Sequence, residues 1–158
     1  MKNNLRDLLL RYFILVIVAI PGLWLFYAVF TPLTAWPVFW LLDIFYDAIL
    51  VAGNIILINR SIPIELVEAC IAGAAYYLLL ILNLSTPNIK FKKRIKMILL
   101  AFASFLIINI LRIFFLSIVA VSGSSFFDIT HQVFWYALST VFVVVIWFAE
   151  VRAFRVRE

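Results

Sequence analysis

Val67-Glu68-Ala69-Cys70-Ile71-Ala72-Gly73-Ala74-Ala75-Tyr76-Tyr77 holds the only cysteine of the chain and opens an apolar helix with a carboxylate on the way in. A single cysteine excludes an intramolecular disulfide and any site built from several thiolates. Two readings remain for Cys70: a small packed hydrophobe, or a lone nucleophile.

The surroundings of this stretch set the class of the protein. Of 158 residues, 67% are hydrophobic and only 13% charged, and the mean hydropathy is +1.17. A soluble domain of this size needs far more polar surface, so the composition implies an integral membrane protein. Four segments, 12–30, 66–84, 97–121 and 131–148, are long and apolar enough to cross. At ~1.5 Å per residue each covers roughly 27–37 Å, matching a hydrocarbon core of ~30 Å. The expected fold is therefore an all-α integral membrane protein with four transmembrane helices in one domain, 1–158. Lys2, Arg6 and Arg11 precede the first segment in the manner of a signal peptide. That segment is too long for one, and Pro21-Gly22-Leu23-Trp24 offers no small-residue cleavage site, so it reads as a helix kinked at Pro21.

The formal charge of +5 does not imply nucleic acid, because its distribution follows the membrane. Eleven of the thirteen Lys and Arg fall in three clusters: Lys2, Arg6, Arg11; Lys90, Lys92, Lys93, Arg94, Lys96; and Arg152, Arg155, Arg157. The positive-inside rule places all three in the cytoplasm, with both termini. That assignment requires four crossings, and it leaves Asp43, Asp47, Glu65, Glu68 and Asp128 outside.

Between the first two spans, Pro32 and Pro37 are expected to end the helix. Residues 38–58 tempt a fifth crossing, but charge parity forbids it. Asp43 and Asp47, four apart with Trp36 and Trp40 nearby, instead predict an outer interfacial or re-entrant amphipathic helix. Residues 54–64 predict a short extended segment, a hairpin with its turn at Asn59-Arg60-Ser61. Helix two is expected from Pro63, carrying Glu65, Glu68 and Cys70 inward, and to stop at Asn83-Leu84-Ser85-Thr86-Pro87. Helix three carries Asn109 and Arg112 on one face. A turn at Ser122-Gly123-Ser124-Ser125 follows, with Thr130 as N-cap of a helix whose first residues are His131 and Gln132. No repeat, low-complexity tract or linker interrupts the chain.

Under this topology three singular residues gather in the outer half of the membrane. Cys70 lies ~6 Å below the outer boundary, His131 at it, and Arg112 ~13 Å down. Each has a bland alternative: packing for Cys70, an interfacial polar residue for His131, and for Arg112 a buried pair with Glu65, Glu68 or Asp128. A guanidinium deep in a span is costly and marks a functional or tightly paired site. Together the three supply the parts of thiol-based acyl transfer. A thiolate is the nucleophile, a histidine moves the proton, and an arginine holds the substrate carbonyl or its oxyanion. A zinc site would need carboxylates beside one Cys and one His, and no Gly-rich phosphate loop is present, so no metal and no cofactor is expected.

Ala69-Cys70 followed by Gly73, then Asn109 and Arg112 on the next helix, then His131 opening the last, resembles the exosortase/archaeosortase family. The Ile-rich extended stretch from Ile55 to Ile64 is similar too. The likeness runs from about Val51 to Phe148, in the manner of a compact archaeal-type member. Many members place the glycine two residues after the cysteine, whereas here Ile71 and Ala72 intervene. The resemblance implies a membrane cysteine protease/transpeptidase with Cys70 as nucleophile, Arg112 and His131 as its catalytic partners, and Asn109 in substrate binding. It also implies secreted substrates ending in a short motif, a transmembrane helix and a basic tail, cleaved at the extracytoplasmic face and passed to an acceptor there. Membrane lipids are the other expected partners. The rivals are a non-enzymatic helical subunit with a structural Arg112 pair, and a small transporter or lipid-handling protein.

Overall fold

The computed structural model describes residues 2–87, 89–123, 127–134 and 139–155. Its order is α1 (Lys2–Ala19), α2 (Trp24–Asp43), β1 (Ala48–Val51), β2 (Ile55–Ile58), β3 (Ile62–Glu65), α3 (Glu68–Ile71), α4 (Gly73–Ser85), α5 (Phe91–Val121), α6 (Phe127–Val133) and α7 (Ser139–Arg155). Among the described residues three helical stretches are long and apolar enough to cross a membrane: α2, the run Glu68–Ser85, and α5. The described residues are thus mostly helical, as expected of a helical membrane protein, with three such stretches where four were expected.

The N-terminal segment departs from expectation twice. Pro21 does not kink a helix over 12–30. The helix ends at Ala19, Gly22 takes φ +63°, and a new helix begins at Trp24. Conversely, Pro32 and Pro37 do not stop α2, which runs through both. Each removes one N–H, yet Phe26, Phe30, Thr34, Val38 and Leu42 form an i, i+4 stripe buried against the bundle. Packing along that stripe outweighs the local cost of proline, as it does in membrane helices generally.

Nor is there an amphipathic helix over 38–58. The helix stops at Asp43, and β1 and β2 follow, so Asp43 and Asp47 share no helix face. Asp43 Oδ1 accepts from the Ala48 N–H at 3.4 Å, and Asp47 pairs with Arg60 at 3.4 Å. The extended hairpin at 54–64 is as expected, turning at Asn59-Arg60-Ser61, but it belongs to a three-stranded antiparallel sheet, β1-β2-β3. Ile49 pairs with Leu57 and Ile56 with Ile64. β-Branched residues flank two turns with positive φ, Ala52-Gly53 and Asn59-Arg60, and that chemistry favours tight hairpins over helix. Pro63 and Glu65 lie in β3 rather than in the first turn of a helix, which starts only at Glu68.

The stop after Ser85 is as expected, while α5 reaches back past Met97 through the basic cluster to Phe91. Segment 131–148 is divided between α6 and α7, and its residues 135–138 lie outside the described residues, as do Ser124 and Ser125 of the expected turn. Thr130 lies within α6, not before it, so His131 occupies the last turn of that helix instead of opening a new one.

Two features hold the bundle. At its centre Phe30 stacks on Tyr76 with ring centroids 3.5 Å apart, and Phe102 and Phe105 meet Tyr76 edge-on. Tyr76 is thus a helix contact and not a lipid one. One helical turn along, α2 crosses α4 so closely that a Cβ on Gly73 would lie 2.7 Å from Tyr27 Cε1. At one end, Arg94 of α5 donates to the carbonyls of Asn83, Leu84, Thr86 and Ile89. Arg11 reaches the Thr86 carbonyl at 3.4 Å, and Trp147 Nε1 donates to Thr86 Oγ1 at 3.1 Å. With Arg152, which borders the same cavity as Thr86, residues of all three basic clusters collect at this end, while the sheet and Cys70 occupy the other end of α3–α4.

Candidate functional site

The helix carrying Cys70 is broken. Ala72, a residue with a Cβ, sits in the left-handed region at φ 58°, ψ 42° and ends α3 after a single turn; α4 starts afresh at Gly73. Such a break removes the next-turn N–H groups from the last carbonyls of α3, and inside a membrane those carbonyls need other partners. They find them on α5. Asn109 Nδ2 donates to the Cys70 carbonyl at 2.9 Å and to that of Ile71 at 3.4 Å. Arg112 Nη2 lies 3.4 Å from the Cys70 carbonyl and 3.5 Å from that of Ala69. One turn of spacing on α5 thus places both side chains on the broken turn, and both are buried, at 2% and 6% exposure.

Cys70 is half-buried and free, its own N–H bonded to the Val67 carbonyl at 2.8 Å. The Arg112 guanidinium is close enough to interact electrostatically with its thiol. A nearby cation favours the charged form of a thiol, here against the cost of burying it. Asn109 Oδ1 is buried without a hydrogen-bond partner among the described residues, leaving an acceptor in the same place.

Of the expected residues, Cys70, Asn109 and Arg112 come together. His131 does not join them by a bond. It lies in α6, which packs on α5, and its ring stacks on Phe127 at 5.7 Å with planes 3° apart. Among the described residues it makes no hydrogen bond or ion pair. The carboxylates are elsewhere as well. Glu65 and Glu68 border a cavity of about 680 Å³ with Trp24, Tyr27 and Trp36, between α2 and the start of α3. The described bonds of Arg112 run to carbonyls rather than to these acids, and the Asp128 side chain lies outside the described residues.

Sequence reasoning missed that the break at Ala72 creates the acceptors for Asn109 and Arg112. Nothing in the sequence signalled it, since Ala72, two residues after the cysteine, is an ordinary helix former. Sequence reasoning also missed Arg94, 1% exposed within a basic run that reads as solvated, and Glu150, 5% exposed beside Asn83. Among the described residues no three His, Cys, Asp or Glu side chains converge as metal ligands. Compared with family models, with curated proteins and with solved structures, the chain has no match in any of the three.

Proposed function

We propose that the chain is a membrane cysteine protease/transpeptidase of the exosortase/archaeosortase type, with Cys70 as nucleophile. The observation that carries this reading is the broken turn: Cys70 sits on it, half-buried, with the Arg112 guanidinium and the Asn109 amide fixed against its backbone. In the proposed cycle His131 takes the thiol proton and the thiolate attacks a substrate backbone carbonyl. Arg112 balances the charge that develops on the oxygen. The C–N bond then breaks, His131 returns the proton to the departing amine, and an acyl thioester remains on Cys70. An outside amine or water attacks the thioester, passes its proton through His131 to the sulfur, and releases the acyl product. For this, α6 must carry the His131 ring off Phe127 and toward Cys70.

The proposal includes four crossings, with α1 and α2 together forming the first and α6 with α7 the last. The bonds of Arg11 and Arg94 to Thr86, and the place of Arg152 on the cavity that Thr86 lines, support it, since they bring the basic segments to one end, assigned to the cytoplasm. Cys70 and the sheet then lie on the extracytoplasmic side.

A second reading has an observation of its own. Arg112 donates to two backbone carbonyls of the broken turn, as expected of a non-enzymatic subunit in which arginine seals a broken helix. Co-expression with a protein ending in a motif, a transmembrane helix and a basic tail separates the two, with intact mass measured on both proteins. Wild type is expected to release the tail. Cys70→Ala, which removes little volume, is expected to accumulate in the membrane and leave the substrate whole. Release of the tail at the wild-type rate by Cys70→Ala would favour the structural subunit.

A further inference from the structure

At the end of the bundle opposite Cys70, a cavity of about 680 Å³ opens between the C-terminal end of α4 and the last turns of α7. Leu82, Trp147, Phe148 and Val151 give it an apolar wall, and Ser85 and Arg152 stand on its polar border. We propose that this cavity is a binding site for one anionic glycerophospholipid, its phosphate on Arg152 and Ser85 and an acyl chain along the apolar wall. The proposal is independent of the reading of Cys70.

Three observations carry it. First, the wall is built rather than fluid. The Trp147 ring is pinned by its bond to Thr86 Oγ1, that hydroxyl donates to the Leu82 carbonyl at 2.7 Å, and Arg94 and Arg11 both hold the Thr86 carbonyl. A crevice between fixed walls stays open unless something fills it, and an apolar one facing acyl chains fills with lipid. Second, the cavity borders the outside of the bundle: Phe148 is 64% exposed, so a chain has lateral access. Third, the chain next to it is basic. Lys90, Lys92, Lys93 and Lys96 follow closely on Pro87, and Arg152 borders the cavity itself. Glu150, the nearest acid in sequence, is withdrawn into the bundle beside Asn83. Basic pockets between helices near a membrane surface recognise phosphate head groups, and nearby Lys and Arg side chains add to the attraction for an anionic leaflet. A small soluble anion would satisfy Arg152 and Ser85 but would leave the apolar wall uncovered.

The test uses the full chain, purified in a neutral detergent, and follows thermal unfolding with added dioleoyl phosphatidylglycerol, dioleoyl phosphatidylcholine or glycerol phosphate. Phosphatidylglycerol is expected to raise Tm by about 3 °C or more beyond phosphatidylcholine, and glycerol phosphate to have no effect. Arg152→Gln, at an exposed position, is expected to keep the lipid-free Tm and lose the difference between the two lipids. Val151→Trp, which occupies the cavity, should lose it as well. Equal stabilisation of wild type by both lipids, or a difference that survives in both variants, would overturn the site. A shift of the same size from glycerol phosphate would overturn the acyl-chain half of the proposal.

Discussion

Helix α5 carries two buried arginines, Arg94 and Arg112, and they treat the two ends of the α3–α4 hairpin arm differently. They are eighteen residues apart, about five turns and roughly 27 Å, so they share a face. Both donate to backbone carbonyls. Arg94 gathers four, from Asn83 to Ile89, at a helix end that stops without strain, since Thr86 is simply extended at φ −64°, ψ 121°. Arg112 reaches the carbonyls of Cys70 and Ala69, at the longer distances of 3.4 and 3.5 Å, at a helix end forced into a left-handed turn at Ala72. Among the described residues all four non-glycine positions with positive φ, Ala52, Asn59, Arg60 and Ala72, lie at this second end. One end is closed and relaxed. The other is strained and holds the only thiol, and strained backbone of this kind concentrates where chemistry or switching occurs.

The largest effect expected from this contrast is all-or-none and concerns which end faces the cytoplasm. In a Cys70→Ala background, single cysteines placed at Ser61, in the β2–β3 turn, and at Lys92, beside Arg94, are treated in intact cells with a membrane-impermeant thiol reagent. Ser61→Cys is expected to label and Lys92→Cys to remain unlabelled until the cells are opened. The reverse pattern would place Cys70 in the cytoplasm and remove the proposed extracytoplasmic chemistry.

Exchanging the arginines comes next. Arg94→Leu leaves four buried carbonyls short of a donor, and unmet buried polar groups cost about 1–3 kcal/mol each, so this variant is expected not to accumulate in the membrane. Arg112→Leu is expected to accumulate while release of a sorting-type tail falls by about 10²–10³-fold, the usual cost of losing one oxyanion donor. Arg112→Lys should not restore it, because a point charge lacks the planar fork. Quantitative blotting of the membrane fraction beside the tail-release assay reads both. If Arg112→Leu instead fails to accumulate as Arg94→Leu does, the two arginines have one role, and that role is structural.

How much of this contrast the bare sequence carries follows from what each signal measures. Hydropathy and charge clustering respond to burial in lipid, so the membrane class was legible, and helical spacing alone put Asn109 and Arg112 on one face. Proline and glycine signals measure only the local backbone. They overstated Pro32 and Pro37, where a buried stripe from Phe26 to Leu42 holds the helix, and understated Pro21, where no such stripe continues. The interfacial helix at 38–58 was misread because Asp43 and Asp47 share a face only if the chain is helical, and Ile49, Val51, Ile55 and Ile56 favour strands. His131 was legible as a residue type but not as a position, since its helix begins four residues earlier, at Phe127. The bonds to the carbonyls of Ala69, Cys70 and Ile71 could not be read at all, because an alanine gives no sign that it will adopt positive φ.

A smaller effect tests the close crossing next to the broken turn. Gly73→Ala would set a Cβ 2.7 Å from the Tyr27 ring, and overpacking of this kind costs about 1–3 kcal/mol. Thermal unfolding of the purified variant is expected to fall by a few degrees, with tail release reduced as α2 shifts against α3–α4. An unchanged Tm would show that α2 can move away freely, and the crossing would not then fix the turn that bears Cys70.

The smallest effect concerns Ala72 itself, and here opposing contributions nearly cancel. The left-handed conformation costs an L-residue about 1–2 kcal/mol, and Ala72→Gly relieves it. The same change exposes nothing but removes a buried methyl worth about 0.8 kcal/mol, and it raises the entropy of the unfolded chain by about 0.4–1 kcal/mol. Stability should therefore change by less than about 1 kcal/mol in either direction, read as a Tm within a few degrees of wild type. Ala72→Val has no such compensation. A β-branched residue fits this region worst, and the site is nearly closed at 9% exposure, so the cost should exceed 2 kcal/mol, roughly the sum of strain and overpacking. Tail release then separates the two ends of the helix arm once more. With Ala72→Gly the turn persists but is no longer stiffened by a Cβ, so the hold of Asn109 and Arg112 on the Cys70 carbonyl should loosen and the rate drop by several-fold with Tm unmoved. A glycine variant that loses several degrees while cutting at the wild-type rate would reverse both expectations, and the left-handed turn would then be an ordinary helix stop like the one at Thr86.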